Sequence, residues 1–238
     1  MPMVTQKNME KTANTLISID FHAHILPRCD HGSDGRITSL EQLALAQKSG
    51  VNMICATPHF YPEQDTVNSF LKRRQACYEA LCERLSGSAP RILLGAEVLI
   101  CDHMDRMPDL EKLCLSGTNY LLLEMPFFEW PESLFETASR LAQLEGIQLV
   151  MAHADRYDPD SVEQLIDFGI PLQLNVDNLS KRLKNKRLLD WIDRGKVIAL
   201  GSDIHGTKVG YHYWDKCKKM LGSRWDSVMK KTAAMGLA

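Results

Sequence analysis

Two histidines stand two residues apart in a short apolar segment near the start of the chain, Asp20-Phe21-His22-Ala23-His24. Side chains two residues apart on an extended strand point to the same side, so His22 and His24 would present both imidazoles to one place. Neutral imidazole is the commonest metal ligand in proteins. The H-x-H pattern alone is weak, because many such pairs bind nothing. It becomes informative only together with further ligands.

Further histidines and carboxylates follow other short apolar segments. They stand where predicted strands end: His59, Glu97, Glu124, His153, Asp203 and His205. In parallel β/α folds, the carboxyl ends of the strands form one face, so these side chains would converge there. Buried histidines and carboxylates in a cluster are costly unless a cation compensates them. The combination therefore predicts a metal site.

The predicted ligands indicate which metals and which reaction to expect. They supply nitrogen and oxygen without a thiolate, which suits Zn²⁺, Mn²⁺ or Fe²⁺ and does not choose among them. Carboxylates such as Glu97 and Asp203 could bridge adjacent ions. Such a cluster lowers the pKa of a bound water and polarises a phosphoryl or carbonyl oxygen. We therefore predict a metal-dependent hydrolase.

Short strands that alternate with amphipathic helices must position these residues. The predicted strands are Leu16–Phe21, Val51–Ala56, Ile92–Ala96, Tyr120–Glu124, Gln148–Ala152, Pro171–Asn175 and Val197–Gly201. The predicted helices are Ser39–Ser49, Val67–Ser86, Glu132–Glu145, Asp160–Phe168, Leu179–Arg194, Tyr211–Leu221 and Arg224–Met235. Strands that are apolar on consecutive residues are typical of parallel sheets buried on both faces. The alternation predicts one α/β domain, and a barrel and an open doubly wound sheet both remain as alternatives.

Charge and cysteine content narrow the class of protein. The chain has 28 Lys and Arg against 30 Asp and Glu, a net charge of −2, which argues against nucleic acid as the main partner. Its seven cysteines form no C-x-x-C pair, which favours free thiols in a reducing cytoplasm. No segment is apolar over the length of a membrane span. The polar residues 1–14 are predicted to be a flexible segment before a single domain over residues 15–238.

The motifs together resemble one superfamily, the PHP-domain (polymerase and histidinol phosphatase) proteins. The matching segments are Asp20–Pro27 (DFHAHILP), Ala56–His59 (ATPH), Gly95–Val98 (GAEV), Tyr120–Pro126 (YLLLEMP), Ala152–Arg156 (AHADR) and Ser202–His205 (SDIH). They run in the order and spacing of that superfamily over most of the chain. Within it, the chain is most similar to the bacterial manganese-dependent protein-tyrosine phosphatases of capsule and exopolysaccharide operons.

The resemblance implies a distorted (β/α)7 TIM-like barrel with two or three divalent ions, manganese first and iron or zinc as alternatives. The ligand sets implied by position are His22, His24, Glu97 and Asp203 for one ion, Glu97, Glu124 and His153 for a second, and His59 and His205 for a third. The resemblance also implies a phosphotyrosine protein as substrate, in particular a bacterial tyrosine kinase that regulates capsular or exopolysaccharide synthesis. The oligomeric state does not follow from the sequence.

One departure from the family pattern concerns a metal ligand. After HILP the relatives usually carry Asp-Asp-Gly, with the second Asp as a ligand, whereas this chain has Asp30-His31-Gly32. His31 occupies the ligand position and would bind as an imidazole in place of a carboxylate. Asp30 is the alternative ligand. The sequence does not decide between them.

Two further departures concern the binding of phosphate. Leu99 and Gly210 stand where the relatives often carry Arg, whereas Arg156 is retained. Lys208, close in sequence to Gly210, is a candidate replacement. Two of the three arginines that bind the anion in the relatives are therefore missing. The predicted ligands support hydrolase chemistry more strongly than the sequence supports specificity for phosphotyrosine.

The catalytic roles are hypotheses that follow from this resemblance and the predicted ligands. Arg156 and the ions would neutralise charge on the phosphoryl oxygens, while an activated water attacks phosphorus in line. His205, Asp203 or a bound water would protonate the leaving group. No cysteine is followed by Arg in a C-x5-R pattern, which argues against a thiolate nucleophile.

Three alternatives remain at this point. The same metal site would suit a phosphatase of a small phosphomonoester, such as histidinol phosphate or a nucleotide. A phosphatase of tyrosine differs from it in recognising an aromatic leaving group, which could stack on Phe127, Phe128 or Trp130. The other interpretation of these three side chains is that they only pack the barrel. An amidohydrolase also begins with H-x-H, but it usually carries a bridging Lys where Glu124 stands here. A metal-binding regulatory barrel without turnover is the alternative that is not an enzyme.

Overall fold

The computed structural model describes residues 16–85, 87–181, 186–207 and 211–237. Its strands are β1 (Ile19–Ala23), β2 (Met53–Ala56), β3 (His59–Phe60), β4 (Arg91–Leu94), β5 (Glu97–Leu99), β6 (Tyr120–Glu124), β7 (Gln148–Met151), β8 (Leu172–Asn175) and β9 (Val197–Gly201). Its α-helices are α1 (Arg36–Lys48), α2 (Val67–Cys82), α3 (Glu132–Leu141), α4 (Pro159–Asp167), α5 (Val176–Lys181), α6 (Lys186–Asp193), α7 (Trp214–Leu221) and α8 (Ser223–Thr232). Strands and helices alternate along most of the chain, as predicted.

The differences from the predicted elements are local. The first strand lies a few residues later than predicted, and the short strands β3 and β5 were not predicted. The predicted helix over residues 179–194 is observed as α5 and α6, on either side of residues outside the described ranges. The predicted flexible segment, residues 1–14, also lies outside the described ranges.

Strands β3 and β5 arise because two barrel strands are interrupted and then resume. Thr57 and Pro58 separate β2 from β3, and proline has no N–H to donate to a sheet. Between β4 and β5, the carbonyl of Gly95 accepts a hydrogen bond from Arg74 Nη1 at 2.6 Å instead of a sheet partner. A Cβ at Gly95 would lie 2.5 Å from Leu115 Cδ2, so the backbone passes too close to Leu115 for a larger residue. Each pair, β2–β3 and β4–β5, therefore counts as one barrel strand.

All strand pairs in the described residues are parallel, in the orders β1-β2-β4 and β3-β5-β6-β7-β8-β9. The interrupted strands join these two sheets. At the other edge, the segment after β9 bonds to β1: Asp203 N–H donates to the carbonyl of His22 at 2.8 Å, and His24 N–H donates to the carbonyl of Ile204 at 3.3 Å. The chain thus forms a distorted (β/α)7 barrel, and the predicted fold class is confirmed.

The strands are buried because helices cover the outside of the barrel. The tryptophans Trp191, Trp214 and Trp225 are almost completely buried, and the rings of Trp214 and Trp225 meet edge to face at 5.1 Å. Trp214 Nε1 donates to Ser18 Oγ at 3.0 Å, which ties α7 to the segment before β1. No helix in the described part of the chain is long and apolar enough to cross a membrane.

Candidate metal centre

The predicted ligands lie together at the carboxyl ends of the barrel strands. Strands β1, β3, β5 and β6 carry His22, His59, Glu97 and Glu124, while His24, His153, Asp203 and His205 stand in the segments that follow strands. All of them are buried or half-buried. His153 and Asp203 have positive φ, 30° and 47°, which is uncommon for residues other than glycine and is found at functional sites.

Glu97 is the centre of this cluster. Its Oε2 lies 3.2 Å from His22 Nε2, 3.2 Å from His24 Nε2 and 2.9 Å from His59 Nδ1. Its Oε1 lies 2.9 Å from His153 Nε2. One carboxylate that is almost inaccessible to solvent therefore contacts four imidazoles from different parts of the barrel.

Three overlapping groups have ligand atoms within 4.8 Å of one another: His22 with His24 and Asp203, His24 with His59 and His205, and His59 with Glu97 and Glu124. The first group contains three of the four residues that the resemblance implies for the first ion, without Glu97. The second joins His205 to His59, as implied for the third ion. In the remaining group His59 takes the place expected for His153, whose Nε2 lies 3.6 Å from Glu124 Oε1.

The donor atoms fit divalent cations. Glu97 Oε2, His59 Nδ1, His153 Nδ1 and His205 Nε2 are buried and make no hydrogen bond. Glu97 Oε2 and His59 Nδ1 lack such a bond although they lie only 2.9 Å apart. Leaving buried polar atoms unpaired costs about 1–3 kcal/mol each, which a cation would remove. Nitrogen and oxygen donors without thiolate suit Mn²⁺, Fe²⁺ or Zn²⁺.

Without an ion, the histidines and carboxylates of the cluster shift each other's pKa values. Burial acts to lower the pKa of His59, but the nearby carboxylates of Glu124 and Glu97 raise it to about 9. The pKa of His153 also rises to about 9, against burial, because of the same two carboxylates. Burial acts to raise the pKa of Glu97, but the close approach of His22 and of the other histidines holds it well below its usual value. Positive charge in the cluster therefore stabilises the carboxylates, and metal ions would supply it when bound.

Asp30 and His31 differ in position. Asp30 Oδ2 accepts hydrogen bonds from His24 Nδ1 at 2.7 Å and from the backbone N–H of His59 at 3.0 Å. The carboxylate thus orients His24, whose Nε2 faces the cluster. His31 is exposed and belongs to none of the three ligand groups, but its ring stacks on His59 at 4.8 Å and lies 4.6 Å from the ring of His205. His31 as a ligand stays a prediction.

Arg156 lies beside the cluster on the short turn Ala154–Arg156. Its Nη2 lies 2.5 Å from Asp203 Oδ2, and about a third of the side chain, 35%, is exposed. The same guanidinium lines a cleft with Pro126, Phe127 and Tyr157. Arg156 can therefore contact both a ligand of the centre and a molecule that enters from the cleft.

Two aromatic residues at this cleft are free to contact a substrate. Phe127 and Phe128 are 68% and 66% exposed, so barrel packing does not explain them. Phe127 stacks at 5.7 Å on His153 and at 5.7 Å on Tyr157. Trp130 is half-buried and donates from Nε1 to the carbonyl of Pro126 at 2.8 Å, so its role is to hold the loop.

The positions that depart from the family pattern are only partly described. Leu99 is half-buried and lines a second depression with Tyr61, Cys101 and Phe128. It supplies no cation at the rim of the barrel. Lys208 and Gly210 lie outside the described residues, and Lys208 as a phosphate ligand stays a prediction.

Several buried polar residues around the cluster were not identified from the sequence. Asp20 Oδ2 accepts from Ser202 Oγ at 2.6 Å and from Tyr211 Oη at 2.7 Å, which fixes the segment before Asp203. In β8, the amides of Gln173 and Asn175 are completely buried. Two amides at alternate positions of an apolar strand were the signal that could have found them.

The fold and the site define the class of protein: a metal-dependent hydrolase barrel, with its His and carboxylate cluster at the carboxyl ends of parallel strands. Residues 18–235 match the family model described as capsular polysaccharide synthesis, CpsB/CapC. The chain therefore belongs to the CpsB/CapC family. This confirms the resemblance to the phosphatases of capsule operons.

Solved structures agree with this fold. One match is to the crystal structures of YwqE from Bacillus subtilis and CpsB from Streptococcus pneumoniae, described as unique metal-dependent tyrosine phosphatases; it has 24% identity and a TM-score of 0.74, and covers 91% of this chain and 92% of the other. A protein from Acinetobacter baumannii, described as a probable 2-pyrone-4,6-dicarboxylic acid hydrolase, has 13% identity and a TM-score of 0.56, and the match covers 92% of this chain and 98% of the other. No curated protein sequence matches the chain.

Proposed function

We propose that this protein is a metal-dependent protein-tyrosine phosphatase of capsular or exopolysaccharide synthesis. The observation that carries the proposal is the cluster of buried imidazoles and carboxylates around Glu97, with Arg156 between it and the cleft. Membership in the CpsB/CapC family supports the role in polysaccharide synthesis. The substrate that we propose is a tyrosine-phosphorylated protein, in particular a tyrosine kinase that regulates this synthesis.

The metal ligands that we propose are His22, His24, His59, Glu97, Glu124, His153, Asp203 and His205, with His31 as a further ligand from the rim. Bound divalent ions, manganese first among them, supply a Lewis acid for the phosphoryl oxygens and lower the pKa of water. Seven free cysteines suit a reducing cytoplasm, where we place the protein. A single barrel domain over residues 15–238 carries the site.

Arg156 has the role of binding a phosphoryl oxygen. Its guanidinium is planar and permanently charged, which suits bidentate contacts with phosphate. It already pairs with Asp203 Oδ2, so it is held in place before a substrate arrives. Charge that develops on the phosphoryl oxygens would therefore meet a preorganised cation.

Asp203 and His205 differ as proton donors. Burial acts to raise the pKa of Asp203, but His22, His24 and Arg156 hold it far below its usual value. An ionised Asp203 is a metal ligand, not a general acid. Burial and the charge of His24 lower the pKa of His205 to about 4, so its imidazole is neutral near pH 7 and its Nε2 is free to bind. A tyrosine phenolate leaves without strong acid assistance, so neither residue needs to act as the acid.

The substrate and the metal are tested in one screen. The purified protein is stripped, reloaded with Mn²⁺, Fe²⁺, Zn²⁺ or Mg²⁺, and offered phosphotyrosine peptides beside histidinol phosphate, nucleotides and p-nitrophenyl phosphate. We expect metal-dependent turnover that prefers phosphotyrosine peptides and is lost in His22→Ala. Turnover confined to small phosphomonoesters would contradict the substrate, and metal binding without any turnover would contradict the enzyme.

A further inference from the structure

Strand β8 contributes none of the predicted metal ligands, yet it carries two polar side chains into the barrel. Gln173 and Asn175 have no solvent exposure. A buried amide is costly unless its oxygen and nitrogen are both hydrogen-bonded. The hydrogen-bond partners of these two amides therefore indicate the structural role of Gln173 and Asn175.

The oxygen of Gln173 connects two histidines of the cluster. Oε1 accepts a hydrogen bond from the backbone N–H of His153 at 2.7 Å and lies 3.1 Å from His22 Nδ1. Because a backbone N–H can only donate, the atom that faces it must be the oxygen, which fixes the orientation of the amide. His22 must then carry its proton on Nδ1. Its Nε2 lone pair is left to face Glu97 and Asp203, at 3.2 Å and 3.6 Å.

The nitrogen of Gln173 extends this connection to a third ligand. Nε2 donates to Asn175 Oδ1 at 2.9 Å, and Asn175 Nδ2 donates to Asp203 Oδ2 at 3.1 Å. Arg156 occupies the same carboxylate oxygen. Asp203 Oδ1 is therefore the oxygen that faces His22 and His24, at 3.6 Å and 3.4 Å.

The neighbouring strand leaves room for this amide. A Cβ at Gly201 in β9 would lie 2.7 Å from Gln173 Nε2 and 2.6 Å from His22 Cβ. Real Cβ atoms do not approach so closely, so only glycine admits both side chains here. This close approach is a second observation, independent of the hydrogen bonds, that the Gln173 side chain is fitted against His22.

We propose that Gln173 is a positioning residue of the metal centre, which holds His22 in its Nδ1–H tautomer and, through Asn175, fixes the carboxylate of Asp203. The proposal rests on the metal centre of the proposed function. His24 has a carboxylate partner, Asp30, whereas His22 has a neutral amide. The amide orients its histidine without adding negative charge beside Glu97 and Asp203.

The test replaces Gln173 in two ways. Gln173→Leu removes both hydrogen-bonding atoms, whereas Gln173→Glu keeps an acceptor for His22 and His153 but loses the donor to Asn175. Gln148→Leu, the same replacement at an exposed position of β7, is the matched control. Measurements are metal per chain, affinity by competition with a chelator, and imidazole ¹⁵N shifts of the metal-free protein, which report the tautomer of each histidine.

We expect Gln173→Leu to bind one ion about 10- to 100-fold more weakly, which is the usual effect of removing a residue that orients a ligand. The metal-free variant should also lose the Nδ1–H signal of His22. Gln173→Glu should retain that signal and bind metal with intermediate affinity, and Gln148→Leu should match the unmodified protein.

Unchanged affinity in a folded Gln173→Leu variant would overturn the proposal, as would an Nε2–H tautomer of His22 in the unmodified protein. If Gln173→Leu does not fold, loss of the His22 Nδ1–H signal in Gln173→Glu would overturn it instead. None of these readouts uses a phosphoester. If the proposed phosphatase activity fails, the result for Gln173 still stands. If the role of Gln173 fails, the proposed phosphatase activity is likewise unaffected.

Discussion

At the mouth of the barrel, one arginine offers a positive charge to a bound molecule, and two phenylalanines offer exposed aromatic rings. Arg156 contacts Asp203 at 2.5 Å while one third of its side chain remains exposed to the cleft. Phe127 and Phe128 are mostly exposed beside it, and only Phe127 stacks on a histidine of the cluster. These residues therefore allow specific tests that leave the metal ligands in place.

We expect Arg156→Ala to lower kcat/KM for phosphotyrosine peptides by about 100-fold, because it removes a preorganised cation from the phosphoryl oxygens. Metal content should stay unchanged, since Asp203 keeps Asn175 Nδ2 as a partner. Steady-state kinetics and metal analysis check both statements. Arg224→Ala is the control, because it removes an arginine paired with Asp193 on an exposed surface. Unchanged turnover in Arg156→Ala would refute the role of Arg156.

Phe127→Ala should weaken recognition of an aromatic leaving group. Stacking of aromatic rings is worth about 0.5–1.5 kcal/mol, so KM for phosphotyrosine peptides should rise about 2- to 10-fold. KM for an alkyl phosphomonoester should not change. Phe128→Ala is the comparison variant, because Phe128 is about as exposed as Phe127 but does not stack on a histidine of the cluster among the described residues, so its effect on KM should be smaller. Equal effects on alkyl and aryl substrates would show that Phe127 does not select the ring.

Strands and the turns after them act as units that set the positions of several ligands at once. Two hydrogen bonds attach the segment Ser202–His205 to β1. Ser202 N–H donates to Asp20 Oδ1 at 2.8 Å, and Asp203 N–H donates to the His22 carbonyl at 2.8 Å. A shift of β9 against β1 would therefore change the distance between Asp203 and His22. At Gly201 of β9, an added Cβ would lie only 2.6 Å from His22 Cβ of β1, so this position has no room for a side chain.

Gly201→Ala should destabilise the protein and weaken metal binding together. The new Cβ would meet His22 Cβ at 2.6 Å and Gln173 Nε2 at 2.7 Å, and overpacking of this kind costs about 1–3 kcal/mol. Gly87→Ala is the control, because nothing lies within 4 Å of a Cβ there. Denaturant unfolding and chelator competition measure the two effects. A Gly201→Ala variant as stable as the Gly87→Ala variant would contradict the packing described for Gln173.

On the scale of the whole molecule, the cluster links stability to pH and to metal. In the metal-free protein, His59 and His153 have pKa values of about 9 against an ordinary 6.5. A raised pKa contributes stability that is fully present below pH 6.5 and is lost as the pH rises through 9. His205 acts in the opposite sense, because its pKa of about 4 makes the folded state less stable as the pH falls from 6.5 toward 4.

The stripped protein should therefore be most stable near pH 6.5, and its Tm should fall by several degrees between pH 6.5 and pH 9. Bound cations replace protons as the positive charge, so the metal-loaded protein should melt at a higher temperature, and its Tm should depend less on pH. Thermal melts of both forms across this range are the measurement. A stripped protein whose Tm stays flat or rises over the same interval would show that His59 and His153 are not stabilised as cations.

Local patterns in the sequence predicted an α/β domain and the residue types of the site, whereas the barrel was implied by the resemblance to a family. Short apolar strands alternate with amphipathic helices, and parallel strands end on one face, so the positions of His22, Glu97 and Asp203 at strand ends predicted their convergence. The strand interruption at Gly95 was not predictable, because it depends on Arg74 and Leu115, which are distant in the sequence.

Tertiary structure decided how each side chain of the site is used. Asp30 orients His24, whereas the neighbouring His31 lies exposed at the rim. Gln173 is 151 residues from His22 in the sequence and contacts it at 3.1 Å. Hydrogen bonds of this kind depend on distances across the closed barrel, which no local periodicity encodes. The sequence by itself therefore determined which groups could bind a metal, and the closed barrel decided which nitrogen and which oxygen of each group face the centre.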